Sequence, residues 1–378
     1  MISALMPRSH YASLTESVYL NQASLGLLGR PAVEAMHRFL DDVARHGNLH
    51  MSDADEVGFF AQLRERASSL FRAAPDRIAI VSSASELLGQ VPRLVPPLAR
   101  RKVLAVRTDF PAVTRPWLRL AGLGECEMVF VEDDPASDLT TALVAALDRR
   151  TALVAVSAVQ YATGTQLDIP RLQDATQQAG AQLVIDATQA AGALAIDSAA
   201  WGADVIVSSG YKWLGGHGGV ALAVMAPSTL ERTPPLPGWM GAPDPFDFDA
   251  TQLLLADDAS RYTQSTMSYL SMSGLSASLD QLASLGEANI ETHARKLSEV
   301  LVEGSKKGGW EPFRDLSDPA ASPHIISLAR PGRELDTTQV GLRAANIVCS
   351  SRGGRVRVSI APYNDTTDID ALVAVLAG

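Results

Sequence analysis

The chain has 378 residues, 47% hydrophobic and 20% charged, a composition typical of a globular protein with more than one domain. Its net charge is −10 and no block of lysine or arginine occurs, which argues against nucleic acid or an anionic membrane as the main partner. The two cysteines lack the spacing of a disulfide framework or a zinc site, and no apolar run forms a membrane span or a signal-peptide core, so we expect a cytoplasmic protein without a metal.

The first half of the chain alternates predicted strands and helices. After an irregular arm at residues 1–17, a strand is predicted from Val18 that turns into a loop at Ser24. Helical patterns follow at 31–45, 56–71 and 138–149. Buried-type strands are predicted at 78–81, 102–106, 129–132 and 152–156. This rhythm of strand, loop and helix continues to Ala181 and predicts a mostly parallel sheet.

In the stretch from Leu183 to Gly219, polar residues follow each of two short apolar strands. A strand at 183–185 stops at Asp186, and a strand at 205–207 leads to Lys212. Ligands bind at the carboxyl ends of the strands in an open α/β sheet, so both side chains are expected to reach one crevice. A lysine that forms a Schiff base and an acid that pairs with a protonated pyridine nitrogen are the minimum parts of a pyridoxal 5′-phosphate (PLP) site. The alternative is that both residues are structural, with Lys212 a surface lysine and Asp186 the N-cap of a helix.

The C-terminal third predicts a second, smaller unit. A strand at 220–225 is followed by a proline-rich stretch at 233–245, which cannot form regular structure. A long helix is predicted from 272 to about 304, followed by strands at 325–328 and 356–360 and by helices at 337–345 and from Thr367. We therefore predict a large domain over 18–270 and, over 271–378, a linking helix and a small C-terminal α/β domain.

The motif Asp186-x-x-Gln189, followed by Ser209-x-Tyr211-Lys212 and the glycine-rich tail 215–219, resembles the class V aminotransferase family of fold-type I PLP enzymes. That family includes cysteine desulfurases, isopenicillin N epimerase-like proteins, kynureninases and C–S lyases. The resemblance implies an α/β fold-type I PLP-dependent transferase, with a mostly parallel seven-stranded sheet in the large domain. It also implies that Lys212 and Asp186 are catalytic and that Gln189, Ser209 and Tyr211 help to bind the cofactor PLP.

Residues upstream complete the implied cofactor site. Ala84 and Ser85 match the family's phosphate-binding stretch, with serine in place of threonine, at a predicted helix start where free N–H groups favour an anion. Phe110 stands where the family stacks a ring on the cofactor, although it could equally belong to the core. Gln160 or Tyr161 stands where the family supplies a polar side chain to the cofactor's phenolic oxygen.

Substrate contacts and a partner are implied in the same way. The resemblance places Asn21 and Ala23 at the mouth of the site, although turn chemistry explains them equally well. In the closing motif at 349–364, Arg357 matches the arginine that binds the substrate α-carboxylate, with Arg352 as a second candidate. Thr266 matches a threonine that reaches the phosphate of the neighbouring subunit, which implies a homodimer.

PLP enzymes that catalyse several different reactions at the Cα of amino acids share these site residues. The favoured prediction is β-elimination of a cysteine conjugate, as in a C–S lyase, with transamination to a keto acid next. A cysteine desulfurase, an epimerase and a non-catalytic protein of the same fold are further alternatives. Only the short segment Ser350 to Arg355 separates Cys349 from the closing strand, so Cys349 is predicted to be a small buried residue and not a persulfide carrier.

Overall fold

The computed structural model describes residues 1–94, 100–332 and 335–378. In these ranges the helices are α1 Arg30–His46, α2 Asp53–Phe71, α3 Ala84–Leu94, α4 Pro111–Gly122, α5 Leu139–Ala146, α6 Ile169–Ala179, α7 Ser198–Trp201, α8 Pro227–Leu230, α9 Tyr269–Leu285, α10 Glu287–Lys306, α11 Leu335–Ala344 and α12 Thr366–Ala377. The strands are β1 Val18–Tyr19, β2 Ile78–Val81, β3 Lys102–Val106, β4 Glu127–Val131, β5 Thr151–Ser157, β6 Gln182–Asp186, β7 Val205–Ser209, β8 Ala221–Met225, β9 Glu311–Pro312, β10 Ile325–Ala329, β11 Ile347–Val348, β12 Ser350–Arg352 and β13 Arg355–Ser359.

A seven-stranded sheet in the order β2-β8-β7-β6-β5-β3-β4 forms the centre of the large domain. Only β8 runs antiparallel to its neighbours, which confirms the predicted mostly parallel sheet. Apart from the partly exposed edge strand β4, its strands are buried on both faces: Leu183 and Ile185 point into one core, whereas Val184 points into the other. Helices α2, α5, α6 and α9 cover the first face, and α3 and α4 cover the second.

A smaller antiparallel sheet, in the order β12-β13-β10-β9, carries the C-terminal region. Helices α10 and α12 pack together beside it, and their apolar side chains share one core with β10 and β13. The short strand β1 pairs in parallel with β11, so the start of the chain contacts this C-terminal unit. The predicted boundaries at residues 17 and 270 remain a prediction.

The prediction of one continuous helix from 272 to 304 is wrong. The segment forms α9 and α10, which Gly286 separates with a φ of 77°. Glycine adopts this left-handed conformation without steric cost and ends a helix there. The first of the two helices packs against α1 and α2, and the second against α12, so the break lets each follow a different surface.

The N-terminal arm folds back onto the C-terminal end of the chain. Arg8 binds the Asp368 carboxylate through two hydrogen bonds of 2.7 and 3.1 Å, and the Ile2 N–H donates to Thr366 Oγ1. The proline-rich stretch 233–245 contains only one short 3-10 turn, as predicted. Among the described residues, no helix combines the length and apolarity needed to cross a membrane.

Candidate active site

The candidate site lies at the carboxyl ends of the parallel strands β3, β5, β6 and β7. Asp109 follows β3, while Ser157 and Asp186 are the last residues of β5 and β6 and pair with each other across the two strands. Lys212 follows β7 after a short loop. Because parallel strands end at the same edge of a sheet, these polar side chains converge there, as in other open α/β sheets.

Asp186 is a buried carboxylate at the end of β6. Its side chain is 5% exposed, and it accepts a hydrogen bond of 2.8 Å from the Thr188 N–H. Thr188 Oγ1 in turn accepts from the Ser209 N–H, which ties the end of β6 to the end of β7. Among the described residues Asp186 forms no ion pair, and burial raises its pKa. A buried carboxylate in this position fits a cationic ring nitrogen, which would offset the cost of burying the charge.

Lys212 is also buried, and aromatic rings surround its amine. The Nζ atom lies 5.2 Å from the ring centroid of Phe110 and 5.7 Å from that of Tyr211. Burial lowers the pKa of Lys212 to about 8, an effect that Arg357 and Arg352 reinforce and Asp186 opposes. A larger fraction of this amine is therefore unprotonated near neutral pH than in a surface lysine, as a nucleophile or a general base requires.

The main chain around Lys212 is held by a distant part of the sequence. Gln22 Nε2 donates to the Lys212 carbonyl over 2.8 Å, and the Gly26 N–H donates to the Tyr211 carbonyl over 3.0 Å. A Cβ atom on Gly26 would lie 2.2 Å from the Lys212 carbonyl oxygen, so only glycine allows this approach. The segment 20–26 is therefore a wall of the site.

Gln189 makes its side-chain contacts with the protein. Its Nε2 donates to the Ala23 carbonyl over 3.0 Å, and its Oε1 accepts from Trp213 Nε1 over 2.7 Å. The carbonyl of Gln189 also accepts from His324. These contacts anchor the buried Ala23 against the Lys212 loop. The cofactor contacts predicted for Gln189, Ser209 and Tyr211 stay predictions.

Phe110, Gln160 and Tyr161, which the sequence predicts to contact the cofactor, lie close to one another. Phe110 and Tyr161 pack edge to face with their ring centroids 5.4 Å apart. Gln160 is buried, and its Nε2 lies 3.3 Å from Asp109 Oδ2. Its Oε1 is buried without a hydrogen-bond partner among the described residues. The structure thus brings Phe110 beside Lys212, while its stacking on the cofactor ring stays a prediction.

Arg357 is a buried guanidinium whose hydrogen-bond partners are all neutral. It is 1% exposed and donates to Ser350 Oγ over 3.0 Å, to the Tyr161 carbonyl over 2.7 Å and to Ser24 Oγ over 2.5 Å. No carboxylate among the described residues forms an ion pair with it, and burial, reinforced by Arg352, lowers its pKa to about 10. A buried cation without a counter-ion fits the carboxylate of an amino-acid substrate.

Arg352 and Asn21 lie in the same region. Arg352 donates to the carbonyl of its neighbour Ser351, and it has no ion pair with another described residue. Asn21 pairs in parallel with Ser359 beside the end of β13, and its Oδ1 is buried without a partner among the described residues. The cation of Arg352 is therefore available to a ligand near Arg357, whereas the substrate contact predicted for Asn21 stays a prediction.

The start of α3 fits an anion. Ser83 Oγ caps the helix by accepting from the Glu86 N–H, and the first-turn N–H groups of Ala84 and Ser85 have no acceptor within an α-helix. Ala84 is buried and Ser85 is exposed. Thr266 is exposed, and its hydroxyl contacts Tyr269. The structure places Thr266 on a surface, where its contact with a neighbouring subunit stays a prediction.

The family model described as Aminotransferase class-V matches residues 18–372. The chain belongs to the class V aminotransferase family. This membership confirms the predicted family, the prediction of an enzyme and the predicted cofactor, PLP. When bound, PLP supplies an electron sink for the pair released by a broken bond at Cα. The buried carboxylate of Asp186, the amine of Lys212 and the α3 N-terminus fit its ring nitrogen, aldehyde and phosphate.

Curated relatives of this class V enzyme include different activities. This chain is 24% identical over 371 residues to the uncharacterized aminotransferase YcbU of Bacillus subtilis (strain 168), a match that covers 94% of this chain and 93% of that protein. It is 28% identical over 324 residues to the kynureninase of Bacillus thuringiensis subsp. konkukian (strain 97-27), with 82% and 76% covered.

Solved structures confirm the fold. A cysteine desulfurase from Thermococcus onnurineus NA1 superposes with a TM-score of 0.85 at 21% identity and covers 100% of this chain and 98% of its own. The cystine C–S lyase C-DES, bound to its product cysteine persulfide, superposes with a TM-score of 0.87 at 21% identity and covers 97% and 99%. The class V enzyme therefore has the fold-type I architecture that its motifs predict.

Sequence reasoning missed several polar residues of the site, among them Asp109, Ser24 and Ser350. Asp109 follows a buried strand just as Asp186 does, so the same strand-end rule could have identified it. Nothing in the sequence marks Ser24 and Ser350, whose hydroxyls contact Arg357 from opposite ends of the chain.

Cys349 lies beside Arg357 and is half-buried, not fully buried as the sequence predicted, because the short strands β11 and β12 that flank it lie at the surface of the small unit. Its thiol is weakly acidic. Burial raises its pKa to about 12, although the charge of Arg357 lowers it. The thiol is therefore protonated near neutral pH, whereas the attacking species in persulfide chemistry is the thiolate. We expect Cys349→Ser to retain turnover within about twofold, because a hydroxyl replaces a thiol that takes no part in the reaction. Loss of turnover in this variant, together with a persulfide trapped on Cys349 of the wild-type protein by an alkylating probe, would show a desulfurase.

Proposed function

We propose that this class V enzyme catalyses β-elimination from a cysteine conjugate, as a C–S lyase. The observation that carries the proposal is a site that contains a buried lysine amine and a buried arginine bound only to neutral groups among the described residues, beside a cysteine whose thiol is weakly acidic. Such a site can activate an amino acid at Cα but has no thiolate to retain its sulfur. The structural likeness to the cystine C–S lyase C-DES supports this choice.

The proposed roles follow from the contacts of each residue. Arg357 holds the substrate carboxylate, and the amine of Lys212 takes the Cα proton. The Cβ–S bond then breaks, and the sulfur leaves with the electron pair and receives a proton from the Lys212 ammonium. With one water molecule consumed, the products are a thiol, pyruvate and ammonia. Asp186 keeps the pyridine nitrogen protonated by charge pairing.

We propose the remaining contacts on the same basis. The cofactor would be held by backbone and side-chain groups of Ala84, Ser85, Phe110, Gln160, Tyr161, Gln189, Ser209 and Tyr211. Asn21, Ala23 and Arg352 would contact the substrate, because the first two lie on the wall formed by 20–26 and Arg352 lies near Arg357.

A homodimer is part of the proposal, with Thr266 donated to the phosphate site of the partner subunit. The exposed position of Thr266 supports a role outside its own subunit. Sedimentation of the purified holoenzyme tests this, and a monomer that retains full turnover would contradict it. The cytoplasmic location also remains a prediction.

A screen of amino acids and cysteine S-conjugates tests the reaction. Pyruvate and ammonia formed without an amino acceptor support β-elimination, whereas a keto acid that forms only with an acceptor would show transamination. Because kynureninases are among the relatives, kynurenine belongs in the screen, and its cleavage would replace the proposed reaction. Change of chirality at Cα without other products would show an epimerase.

We expect Arg357→Lys to weaken substrate binding by roughly 1.5–3 kcal/mol, the range for a hydrogen bond to a charged group, or about 10–100-fold in KM. Lysine carries one ammonium and cannot reproduce the planar fork that contacts Ser24, Ser350 and Tyr161. Steady-state kinetics measure the effect, and cofactor content should not change. The control is Arg352→Lys, which should raise KM less. If Arg352→Lys has the larger effect, Arg352 binds the carboxylate.

A further inference from the structure

The carboxylate of Asp109 joins two loops of the site. It is 6% exposed at the carboxyl end of β3. Its Oδ1 accepts from the Phe110 N–H over 2.7 Å and from the Ser157 hydroxyl. Its Oδ2 accepts from the Ser157 N–H over 2.8 Å and from Gln160 Nε2 over 3.3 Å. Four donors, from Phe110, from the last residue of β5 and from the loop after it, therefore converge on one side chain.

The groups that contact this buried carboxylate are uncharged. Among the described residues Asp109 forms no ion pair, and all four donors are neutral. Burial raises its pKa to about 6, although the four hydrogen bonds lower it. A buried carboxylate without a counter-ion costs free energy even when it is fully hydrogen-bonded, and an apolar side chain would avoid that cost. An aspartate at position 109 is therefore better explained by the residues that its carboxylate positions than by a contribution to the stability of the fold.

The residues that Asp109 binds lead to two different parts of the site, one at Lys212 and one at Arg357. Phe110 is the residue before α4, and its ring faces the Lys212 amine at 5.2 Å. Gln160 precedes Tyr161, whose carbonyl accepts from Arg357 Nη1 over 2.7 Å. Because a carboxylate can only accept, it also fixes the amide of Gln160 with the N–H group towards Asp109 and leaves Oε1 unpartnered.

We infer that Asp109 is a positioning residue that couples the cofactor side of the site to the substrate side. One carboxylate sets the place of Phe110 beside Lys212 and, through Gln160 and Tyr161, the place of Arg357. A change at Asp109 therefore alters both cofactor binding and carboxylate binding, although the hydrogen bonds of its carboxylate all go to the protein. The inference rests on the proposed roles of Phe110 and Arg357.

The chain contains a matched control at the opposite edge of the same sheet. Asp204 precedes β7, and its carboxylate accepts from the Leu183 N–H over 2.9 Å and from Gln182 Nε2 over 3.2 Å. This is the same pair of donor types, a strand N–H and a glutamine amide, at the end of the strands away from Lys212. Asp109→Asn and Asp204→Asn thus change similar hydrogen bonds, and only one of them supports the site.

The test compares the two variants in the holoenzyme and after removal of PLP. Asparagine at 109 can keep the bonds to Ser157 and Gln160, but it leaves the Phe110 N–H without an acceptor. We expect Asp109→Asn to weaken PLP binding by about tenfold, to shift the visible absorbance of the bound cofactor and to raise KM by a similar factor. Asp204→Asn should lower the thermal midpoint without changing these three quantities.

Equal thermal destabilisation by both variants, with unchanged PLP affinity, absorbance and KM in Asp109→Asn, would overturn the inference. If Asp109→Asn does not fold, Ser157→Ala takes its place, because the carboxylate then keeps three donors. A loss of PLP affinity of a few-fold supports the inference, and unchanged affinity and KM overturn it. PLP binding is measured without substrate. Its outcome is therefore independent of the product screen, and a failure of the C–S lyase proposal there neither supports nor overturns the role of Asp109.

Discussion

Lys212→Ala is expected to abolish turnover and covalent attachment of PLP. The buried amine is the one that the geometry places among Asp186, Phe110 and Tyr211, and its pKa of about 8 leaves it partly unprotonated near neutral pH. Borohydride reduction followed by mass analysis of the peptides measures attachment. In the wild-type protein stripped of cofactor, uptake of PLP should accelerate as the pH rises towards 8, because deprotonation produces the reactive amine.

Lys102 provides the control for this variant. It is equally buried, at the opposite end of the sheet, where its ammonium donates to the Ala146 carbonyl and pairs with Asp148. Lys102→Ala should lower the thermal midpoint and leave the reducible adduct on Lys212. A covalent adduct that persists in Lys212→Ala at another lysine would show that Lys212 is not the anchor.

Asp186→Asn is expected to slow Cα deprotonation by about 10²–10³-fold while PLP remains bound. A neutral amide cannot hold a proton on the pyridine nitrogen by charge pairing. Exchange of the Cα proton for deuterium, followed by NMR, measures this step apart from product release. Near-normal exchange would mean that another acid pairs with the ring.

The same substitution should stabilise the cofactor-free protein. Burial raises the pKa of Asp186, so the folded state holds its proton more tightly than the unfolded chain. The destabilisation from this group is therefore absent at low pH and appears as the pH rises above the unfolded pKa of about 3.9. Removing the charge should raise the thermal midpoint near neutral pH, a gain in stability with a loss of function.

The main parts of the site could be predicted because they follow local rules. Asp186 and Lys212 come after buried apolar strands, and the family motif around Arg357 indicates its strand. The helix break at Gly286 was missed because one glycine within a helical pattern does not by itself end a helix. The role of Asp109 could not be predicted, because its partners Ser157 and Gln160 lie about 50 residues later, at the end of β5 and in the loop after it.

Contacts between distant parts of the chain account for the rest. Gln22 and the Lys212 carbonyl are 190 positions apart, and Ser24 and Arg357 are 333 apart. Neither periodicity nor spacing carries information about such pairs. Ser24 reads from the sequence only as a turn residue, yet its hydroxyl binds the most buried arginine of the site.

The wall formed by residues 20–26 has a consequence for how the protein is made. These residues leave the ribosome early, but their partners at Tyr211 and Lys212 are synthesised much later, and β11, which pairs with β1, later still. Through most of translation the segment therefore has no native surface to bind. The Lys212 loop reaches its final shape only after nearly the whole chain has emerged, so we expect capture of PLP to be one of the last events in the biogenesis of the enzyme.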